Sequence, residues 1–194
     1  MTKFRKPFFF ASLFVFFAAG VILCVSGRRA MANPSGPAGA IAEPAYRLRL
    51  FALHGDDGIH VVYRRGNEYI PSAIHRLDYF LRDDRNGDVY RMKPKLFDLL
   101  HALLAKLHRP NAVIDVICGY RTRATNEYLR EHTVGVAKRS LHTLGEAIDI
   151  RIPGVPLWKV RQAALALHRG GVGYYPHSDF VHVDIGRVRQ WELK

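Results

Sequence analysis

Ser140-Leu-His-Thr-Leu-Gly-Glu-Ala-Ile-Asp149 is the stretch of sequence from which the fold can be predicted. A strand over residues 145–152 would point successive side chains to opposite faces of a sheet. The isoleucines at even positions would then enter a core, while Asp149 would stand on the opposite face among small neighbours. The stretch therefore predicts a strand that carries a single carboxylate on an open face.

Phe180-Val-His-Val-Asp184 has the same alternation. Its two valines predict a core face, whereas His182 and Asp184 share the opposite face. If the two strands are neighbours, Asp149 and His182 meet, and His142 reaches them from the turn before the first strand. Two imidazoles and one carboxylate, with room for water, are the ligands of a catalytic zinc site, so we predict Zn²⁺ bound there. On pattern alone, the alternative is that these are ordinary surface or core residues.

Apolar spacing elsewhere in the chain predicts the elements around these strands. A helical period predicts helices over 71–81, 93–108, 125–130 and 157–168, and alternation predicts a hairpin over 46–64 and a strand over 112–117. The fold class that follows is α+β. We expect a small, mainly antiparallel sheet that carries the zinc ligands, with helices packed on its other face.

The first 32 residues predict an export signal or an N-terminal membrane anchor. They begin with three basic residues and continue into the apolar run Phe8–Val25. Ala30-Met31-Ala32 offers a cleavage site, but an apolar run of this length can also span a bilayer as a helix. In both cases we expect the rest of the chain outside the cytoplasm, in the periplasm, either free or tethered to the inner membrane through residues 8–25.

Residues 33–45 are rich in proline and glycine and predict a linker, which leaves 46–194 for one domain. After residue 32 the chain has 24 basic and 17 acidic side chains, a net charge of +7. Such a surface suits an anionic polymer such as peptidoglycan. Nucleic acid is the competing partner, but basic residues are not clustered with aromatics, and the predicted export signal argues against it, so we expect no nucleic-acid partner. Cys118 is the one cysteine after residue 32, which excludes an intrachain disulfide after processing.

The pattern Ser-x-His-x-x-Gly-x-Ala-x-Asp, followed by a strand with His-Val-Asp, resembles zinc peptidases of the D-alanyl-D-alanine metallopeptidase and hedgehog group. Three longer segments are similar to the murein endopeptidase K branch of that group: Cys118-Gly-Tyr-Arg-Thr-Arg-Ala-Thr-Asn126, Gly170-Gly-Val-Gly-Tyr-Tyr-Pro176 and Phe180-Val-His-Val-Asp-Ile-Gly186. The resemblance extends over residues 46 to 192. It implies a zinc-dependent peptidoglycan hydrolase that cleaves the peptide cross-links of murein during cell-wall remodelling.

The resemblance also implies roles for residues around the metal. Arg121 would lie over the metal site and bind a substrate carboxylate or the developing oxyanion, a task that suits the guanidinium fork. We expect Ser140 and Asn126 to orient the substrate or the ligands. Without the resemblance, Arg121 would be taken for a surface arginine.

Two acids compete for the role of general base. Asp179 lies three residues before His182, where the resembled peptidases place their acidic base, and we favour it. Asp184 shares a strand face with His182 and would then support that ligand. His177 would stabilise the oxyanion, as a histidine at that offset does in some relatives. The sequence departs from those relatives at Phe180, where they have a second histidine, so the choice of base stays open.

Two other functions are compatible with the same residues. One is a D-amino-acid carboxypeptidase or dipeptidase that trims stem peptides, which requires a closed site and a carboxylate pocket. The other is a non-catalytic, zinc-stabilised binding module in the manner of hedgehog domains. The acid at position 179 and the export signal favour catalysis over the binding module.

Overall fold

The computed structural model describes residues 43–193. The predicted export signal or anchor and residues 33–42 of the predicted linker lie outside the described residues. Eight strands are present in that part: β1 (Ala45–Ala52), β2 (Asp57–Arg65), β3 (Glu68–Tyr69), β4 (Ile114–Cys118), β5 (Ala147–Arg151), β6 (Gly171–Tyr175), β7 (Phe180–Asp184) and β8 (Arg189–Glu192). The helices are α1 (Pro71–Phe80), α2 (Pro94–Lys106), α3 (Arg123–His132) and α4 (Leu157–Leu167), with a 3-10 turn at Leu141–Leu144.

All eight strands form one sheet in the order β3-β2-β1-β4-β5-β7-β6-β8. The pairings of β1 with β4 and of β6 with β8 are parallel, and the others are antiparallel. The fold is α+β, but the prediction of a small, mainly antiparallel sheet is wrong because the sheet is large and mixed. The physical reason is the long connection through α1 and α2, which returns the chain beside β1 in the same direction. Strand alternation in the sequence predicts faces, but it does not predict which strands become neighbours.

The core lies on one face of this sheet, under α1, α2 and α4. Helix α2 begins with a proline, whose fixed φ and missing N–H suit the first helical turn. Its leucines form a buried stripe, and each buried leucine stabilises the fold by about 1.5–3 kcal/mol. Ile148 and Ile150 of β5 join the same core, as do Val181 and Val183 of β7. The opposite face of β5 and β7 is therefore left for polar side chains.

Asp98 on α2 fixes that helix to the hairpin of β2 and β3. The hydroxyl of Tyr63 donates to Asp98 Oδ1 at 3.0 Å, and that of Tyr69 donates to Asp98 Oδ2 at 2.6 Å. The Nε of Arg64 lies 3.3 Å from the same carboxylate. Burial, together with the hydrogen bond to Asp98 and its charge, raises the pKa of Tyr69 to about 12. Both phenols therefore act as donors that hold the edge of the sheet to the helix.

Asp83 joins the loop after α1 to the start of α3. Its buried carboxylate accepts hydrogen bonds from the backbone N–H groups of Thr122 at 2.8 Å and Arg85 at 3.0 Å. The Thr122 side chain in turn caps α3 by accepting from the N–H of Thr125. This cap explains why α3 begins at Arg123, two residues before the predicted start. The same contacts fix the backbone immediately after Arg121.

Within residues 43–193, no helix combines the length and apolar character that crossing a membrane requires. The apolar run Phe8–Val25 lies outside this range.

Candidate metal centre

His142, Asp149 and His182 converge on the open face of the sheet. Asp149 on β5 pairs directly with His182 on β7, and the 3-10 turn before β5 supplies His142. His142 Nε2 lies 3.2 Å from Asp149 Oδ1 and 3.1 Å from His182 Nδ1. The remaining distance, between Asp149 Oδ1 and His182 Nδ1, is 2.9 Å. All three side chains are buried. Three atoms that can bind a metal ion, two imidazole nitrogens and one carboxylate oxygen, therefore form a tight triangle with little exposure to solvent.

The local backbone orients the His142 ring. The Ser140 hydroxyl accepts from the N–H of His142, and Gly145 ends the turn with a φ of +66° that favours glycine. His142 Nδ1 lies 2.7 Å from the carbonyl oxygen of Gly119. A carbonyl can only accept, so Nδ1 carries the hydrogen and the Nε2 lone pair faces Asp149. Burial lowers the pKa of His142, which favours the neutral ring that a metal ion needs.

Asp184 orients the His182 ring in the corresponding way. Its Oδ2 lies 3.0 Å from His182 Nε2, which leaves Nδ1 directed at the triangle. The Asp184 carboxylate also accepts from the N–H groups of Gly171 and Gly186, each at 2.9 Å, and from both terminal nitrogens of Arg189. Burial alone would favour the protonated acid, but the hydrogen bonds from His182 and Arg189 outweigh it and lower the pKa of Asp184. Asp184 is therefore ionised and fixed by its hydrogen bonds, and it holds the His182 ring in its orientation.

The donor set fits a zinc ion. Tetrahedral zinc bonds of about 2.0–2.2 Å place ligand atoms roughly 3.3 Å apart, close to the observed separations of 2.9–3.2 Å. Burial opposes ionisation of Asp149, but His142 and His182 lower its pKa, so it offers a charged oxygen. His142 Nε2 and His182 Nδ1 both face Asp149, where a bound cation would balance the carboxylate.

Cys118 lies next to this triangle, which the sequence did not indicate. Its sulfur, a nitrogen of His142 and an oxygen of Asp149 lie within 4.8 Å of one another, because Cys118 pairs with Asp149 across β4 and β5. Burial raises the pKa of the Cys118 thiol. His182 Nδ1 lies 3.1 Å from His142 Nε2 and 2.9 Å from Asp149 Oδ1, so the geometry favours His182 as the third ligand.

A cavity of about 580 Å³ opens over the triangle. Arg121 and Ser140 line it, and Arg121 Nη2 lies 3.5 Å from the Ser140 hydroxyl. The Nε of Arg121 is buried without a partner among the described residues. Asn126 does not line the cavity; its buried side chain donates to the carbonyl oxygen of Ala137 at 3.1 Å. Asn126 therefore supports a loop of the cavity wall from behind.

The turn between β6 and β7 places the predicted base and oxyanion residues at the surface. Asp179 has a side chain that is 62% exposed, and it accepts a hydrogen bond from Arg151 Nη1 at 2.9 Å. Its φ of +53° lies in the left-handed region. His177 is also exposed. Neither residue is among the described ones that line the cavity, whereas Ser178 and Phe180 are.

An aromatic wall, defined as Tyr175, Phe180 and Trp191, closes the side of the cavity next to His182. The rings of Tyr175 and Phe180 stack at 4.3 Å, and the ring centroid of Trp191 lies 5.1 Å from that of His182. Trp191 occupies the space over Gly173, the residue paired with His182, where a Cβ would lie 2.6 Å from the indole. The sequence prediction missed Tyr175 and Trp191. The signal that could have indicated them was Gly173 of β6, a glycine that pairs with His182 of β7.

Comparisons with known proteins show which family the sequence resembles. The family model described as "Peptidoglycan L,D-endopeptidase MepK" matches residues 40–191. A Haemophilus influenzae protein named "Probable peptidoglycan L,D-endopeptidase MepK" is 41% identical over 160 residues, which cover 82% of this chain and 86% of that protein. Proteins of Escherichia coli K12 and Shigella flexneri, both named "Peptidoglycan L,D-endopeptidase MepK", are each 42% identical over 144 residues, or 74% of this chain and 79% of theirs. No solved structure matches the chain significantly.

Proposed function

The chain belongs to the peptidoglycan L,D-endopeptidase MepK family, and on that premise we propose that it is a zinc-dependent peptidoglycan hydrolase that cleaves peptide cross-links of murein. The observation that carries the proposal is the convergence of His142, Asp149 and His182 below a cavity that Arg121 also lines. The names of the relatives support cross-links made through an L,D peptide bond. Cleavage of these bonds would serve cell-wall remodelling.

The residues at the base of the cavity would hold the metal and keep its ligands oriented. When bound, Zn²⁺ polarises a carbonyl and lowers the pKa of water to about 7, so that hydrolysis proceeds at neutral pH. Gly119 keeps the His142 lone pair directed at the metal position, and Asp184 does the same for His182. Asp149 contributes the negative charge that balances the cation.

Arg121 is the group that we assign to the substrate. Its guanidinium lines the cavity, and one of its nitrogens has no partner among residues 43–193. An arginine fork can bind a substrate carboxylate or the oxygen on which charge develops. Ser140 lies within reach of the same guanidinium and would limit its movement.

Asp179 remains our choice as the general base. Asp184 is occupied by His182, Arg189 and two backbone N–H groups, which fill the roughly four acceptor sites of a carboxylate. It has no free lone pair with which to take a proton. Among the described residues, Asp179 has Arg151 as its one hydrogen-bond partner, and it lies in the turn that leads directly into β7. We infer that substrate draws this turn over the cavity, and His177, in the same turn, would move with it to stabilise the oxyanion.

Compartment and domain organisation complete the proposal. We propose that residues 1–32 direct export or anchor the chain, that 33–45 are a linker and that 46–194 are the peptidase domain. The substrate would then be the peptides of peptidoglycan in the periplasm. If the first segment is retained, it would anchor the chain in the inner membrane. The fusion of residues 1–32 to a reporter tests this, and a reporter that stays in the cytoplasm would contradict it.

Digestion of cross-linked murein by the purified full chain tests the activity. We expect cross-linked muropeptides to disappear and uncross-linked ones to accumulate, as measured by chromatography and mass spectrometry. The His182→Ala variant is the matched control and should leave the murein intact. Release of terminal amino acids with intact cross-links would instead indicate a carboxypeptidase. Zinc binding with no products at all would indicate a binding module.

A further inference from the structure

The hydroxyl of Tyr175 has an orientation that its neighbours determine. Trp191 Nε1 lies 2.9 Å from Tyr175 Oη. An indole N–H can only donate, so the phenol oxygen accepts this bond and its own hydrogen points elsewhere. Within residues 43–193, the phenol has no hydrogen-bond acceptor. A hydrogen-bond donor is thus left free in the lining of the cavity.

The position of Tyr175 places this donor on the same face of the sheet as the metal centre and in the same cavity. Gly173 pairs with His182, and Tyr175, two residues later on β6, faces the same side of the sheet. The indole of Trp191 fills the space over Gly173 and reaches from the His182 ring to the phenol. Stacking on Phe180 limits the rotation of the Tyr175 ring. The hydroxyl is therefore preorganised and does not depend on movement of the turn that carries His177.

The protonation state of Tyr175 suits a donor. Burial raises the pKa of the phenol and the charge of Asp149 adds to this, against the opposing effects of Trp191 and Arg121. The hydrogen is therefore retained at neutral pH. The charges of Asp149 and Arg121 act on the phenol because all three groups line one cavity.

We propose that Tyr175 is a catalytic residue whose hydroxyl donates a hydrogen bond to the scissile carbonyl oxygen as negative charge develops on it. The inference rests on the proposed peptidase function. No proton is transferred in this step; the O–H bond of Tyr175 stays intact, and its dipole stabilises the oxyanion. Such a donor acts mainly in the transition state, because the charge on the oxygen is largest there.

The Tyr175→Phe variant tests the proposal, since it keeps the ring that stacks on Phe180 and removes only the hydroxyl. We expect kcat for a soluble cross-linked muropeptide to fall by about 10²–10³, with KM nearly unchanged, because the lost interaction belongs to the transition state. The zinc content should stay that of the wild type. A phosphinate analogue of the cleaved bond should bind Tyr175→Phe more weakly by a similar factor in calorimetry.

Tyr174→Phe is the matched control. Tyr174 lies on the opposite face of β6 and packs against the core, with Arg161 over its ring. The same chemical change there should leave kcat, KM and phosphinate affinity at wild-type values. An equal loss in both variants would show a general effect on β6 and would overturn the role of Tyr175.

Trp191→Phe provides a second measurement, because it removes the N–H that orients the phenol and keeps the hydroxyl. We expect kcat to fall on the order of tenfold in the wild-type background and hardly at all in the Tyr175→Phe background. The effects of the two substitutions should not add, because the indole acts through the hydroxyl to which it is hydrogen-bonded. Equal losses in both backgrounds would contradict the proposal. So would full activity of Tyr175→Phe, or a rise in KM with unchanged kcat. Absence of any hydrolysis by the wild-type protein would instead refute the proposed function.

Discussion

Asp149 Oδ1 lies 2.9 Å from His182 Nδ1, across two antiparallel strands whose register pairs these residues directly. Because both side chains belong to regular strands in the interior of the sheet, their separation is set by backbone hydrogen bonds. The third donor, His142, is held by the Gly119 carbonyl. The donor triangle is therefore formed by the fold itself.

The first prediction concerns metal content. We expect about one zinc per chain in the wild-type protein and a loss of zinc in His182→Ala, because two ligands alone hold zinc poorly. Metal analysis after dialysis measures both. His60→Ala, at an exposed position of β2, is the matched control and should keep its zinc. If the metal content is unchanged in His182→Ala, the ligand assignment is wrong.

The second prediction concerns the proposed base. Asp179→Ala should keep its zinc and its fold, because the side chain is exposed and its one hydrogen-bond partner among residues 43–193 is Arg151. Turnover of murein should fall by about 10²–10⁴, the range expected for loss of a positioned proton acceptor. Glu68→Ala, another exposed acid, serves as the control. Near-full activity in Asp179→Ala would remove this residue from the mechanism.

The third prediction separates Asp184 from Asp179. Asp184→Ala removes the acceptor that orients His182 and leaves Arg189 without its carboxylate. We expect metal affinity or activity to fall by about 10–100-fold, with the metal loss measured by competition with a chelator. A variant that keeps wild-type zinc affinity but loses all turnover would point to Asp184 as the base.

The fourth prediction concerns stability away from the site. Asp98→Ala removes the acceptor for the buried hydroxyl of Tyr63 and should lower the free energy of unfolding by about 1–3 kcal/mol in a denaturant titration. Lys95→Ala, exposed on the same helix, controls for helix propensity and should change stability little. Asp98→Ala combined with Tyr63→Phe should recover part of the loss. A double variant no more stable than Asp98→Ala would argue against the unpaired hydroxyl as the cause.

The fifth prediction concerns pH. Burial opposes ionisation of Asp83, but hydrogen bonds from Thr125, Thr122 and Arg85 lower its pKa in the folded state. A lowered folded-state pKa stabilises the protein above the unfolded pKa of about 3.9, and this stability is lost as the pH falls through the folded-state pKa. Asp83→Asn should therefore be less stable than the wild type at pH 6, and the difference should shrink below about pH 4. Unfolding at pH 6 and pH 3 measures this. A difference independent of pH would be inconsistent with the linkage.

The faces of individual strands could be predicted from the sequence, and the pairing of distant strands could not. Alternation placed Ile148 and Ile150 in the core and Asp149 opposite them, and the structure agrees. The sheet was predicted too small because parallel partners such as β1 and β4 are joined only after two helices. Local patterns contain no information on that crossover.

The same limit explains which site residues were missed. Trp191 and Arg189 reach the cavity because β8 lies beside β6, a parallel pairing that no nearby residue indicates. The contact between Asp179 and Arg151 likewise joins a turn to a strand 28 positions away. The convergence of three side chains could be predicted because two of them, Asp149 and His182, lie on strands with clear alternation. The third, His142, lies in the turn just before one of these strands.

The positions of the strands in the sheet also predict that different parts of the site open at different rates. β5 and β7 are enclosed on both sides, so we expect amide hydrogens at Asp149 and His182 to exchange only when the whole domain unfolds. β8 is the last strand of the sheet, and its free edge can fray on a much shorter timescale. We therefore expect the strand that carries Trp191 to loosen while Asp149 and His182 stay in place.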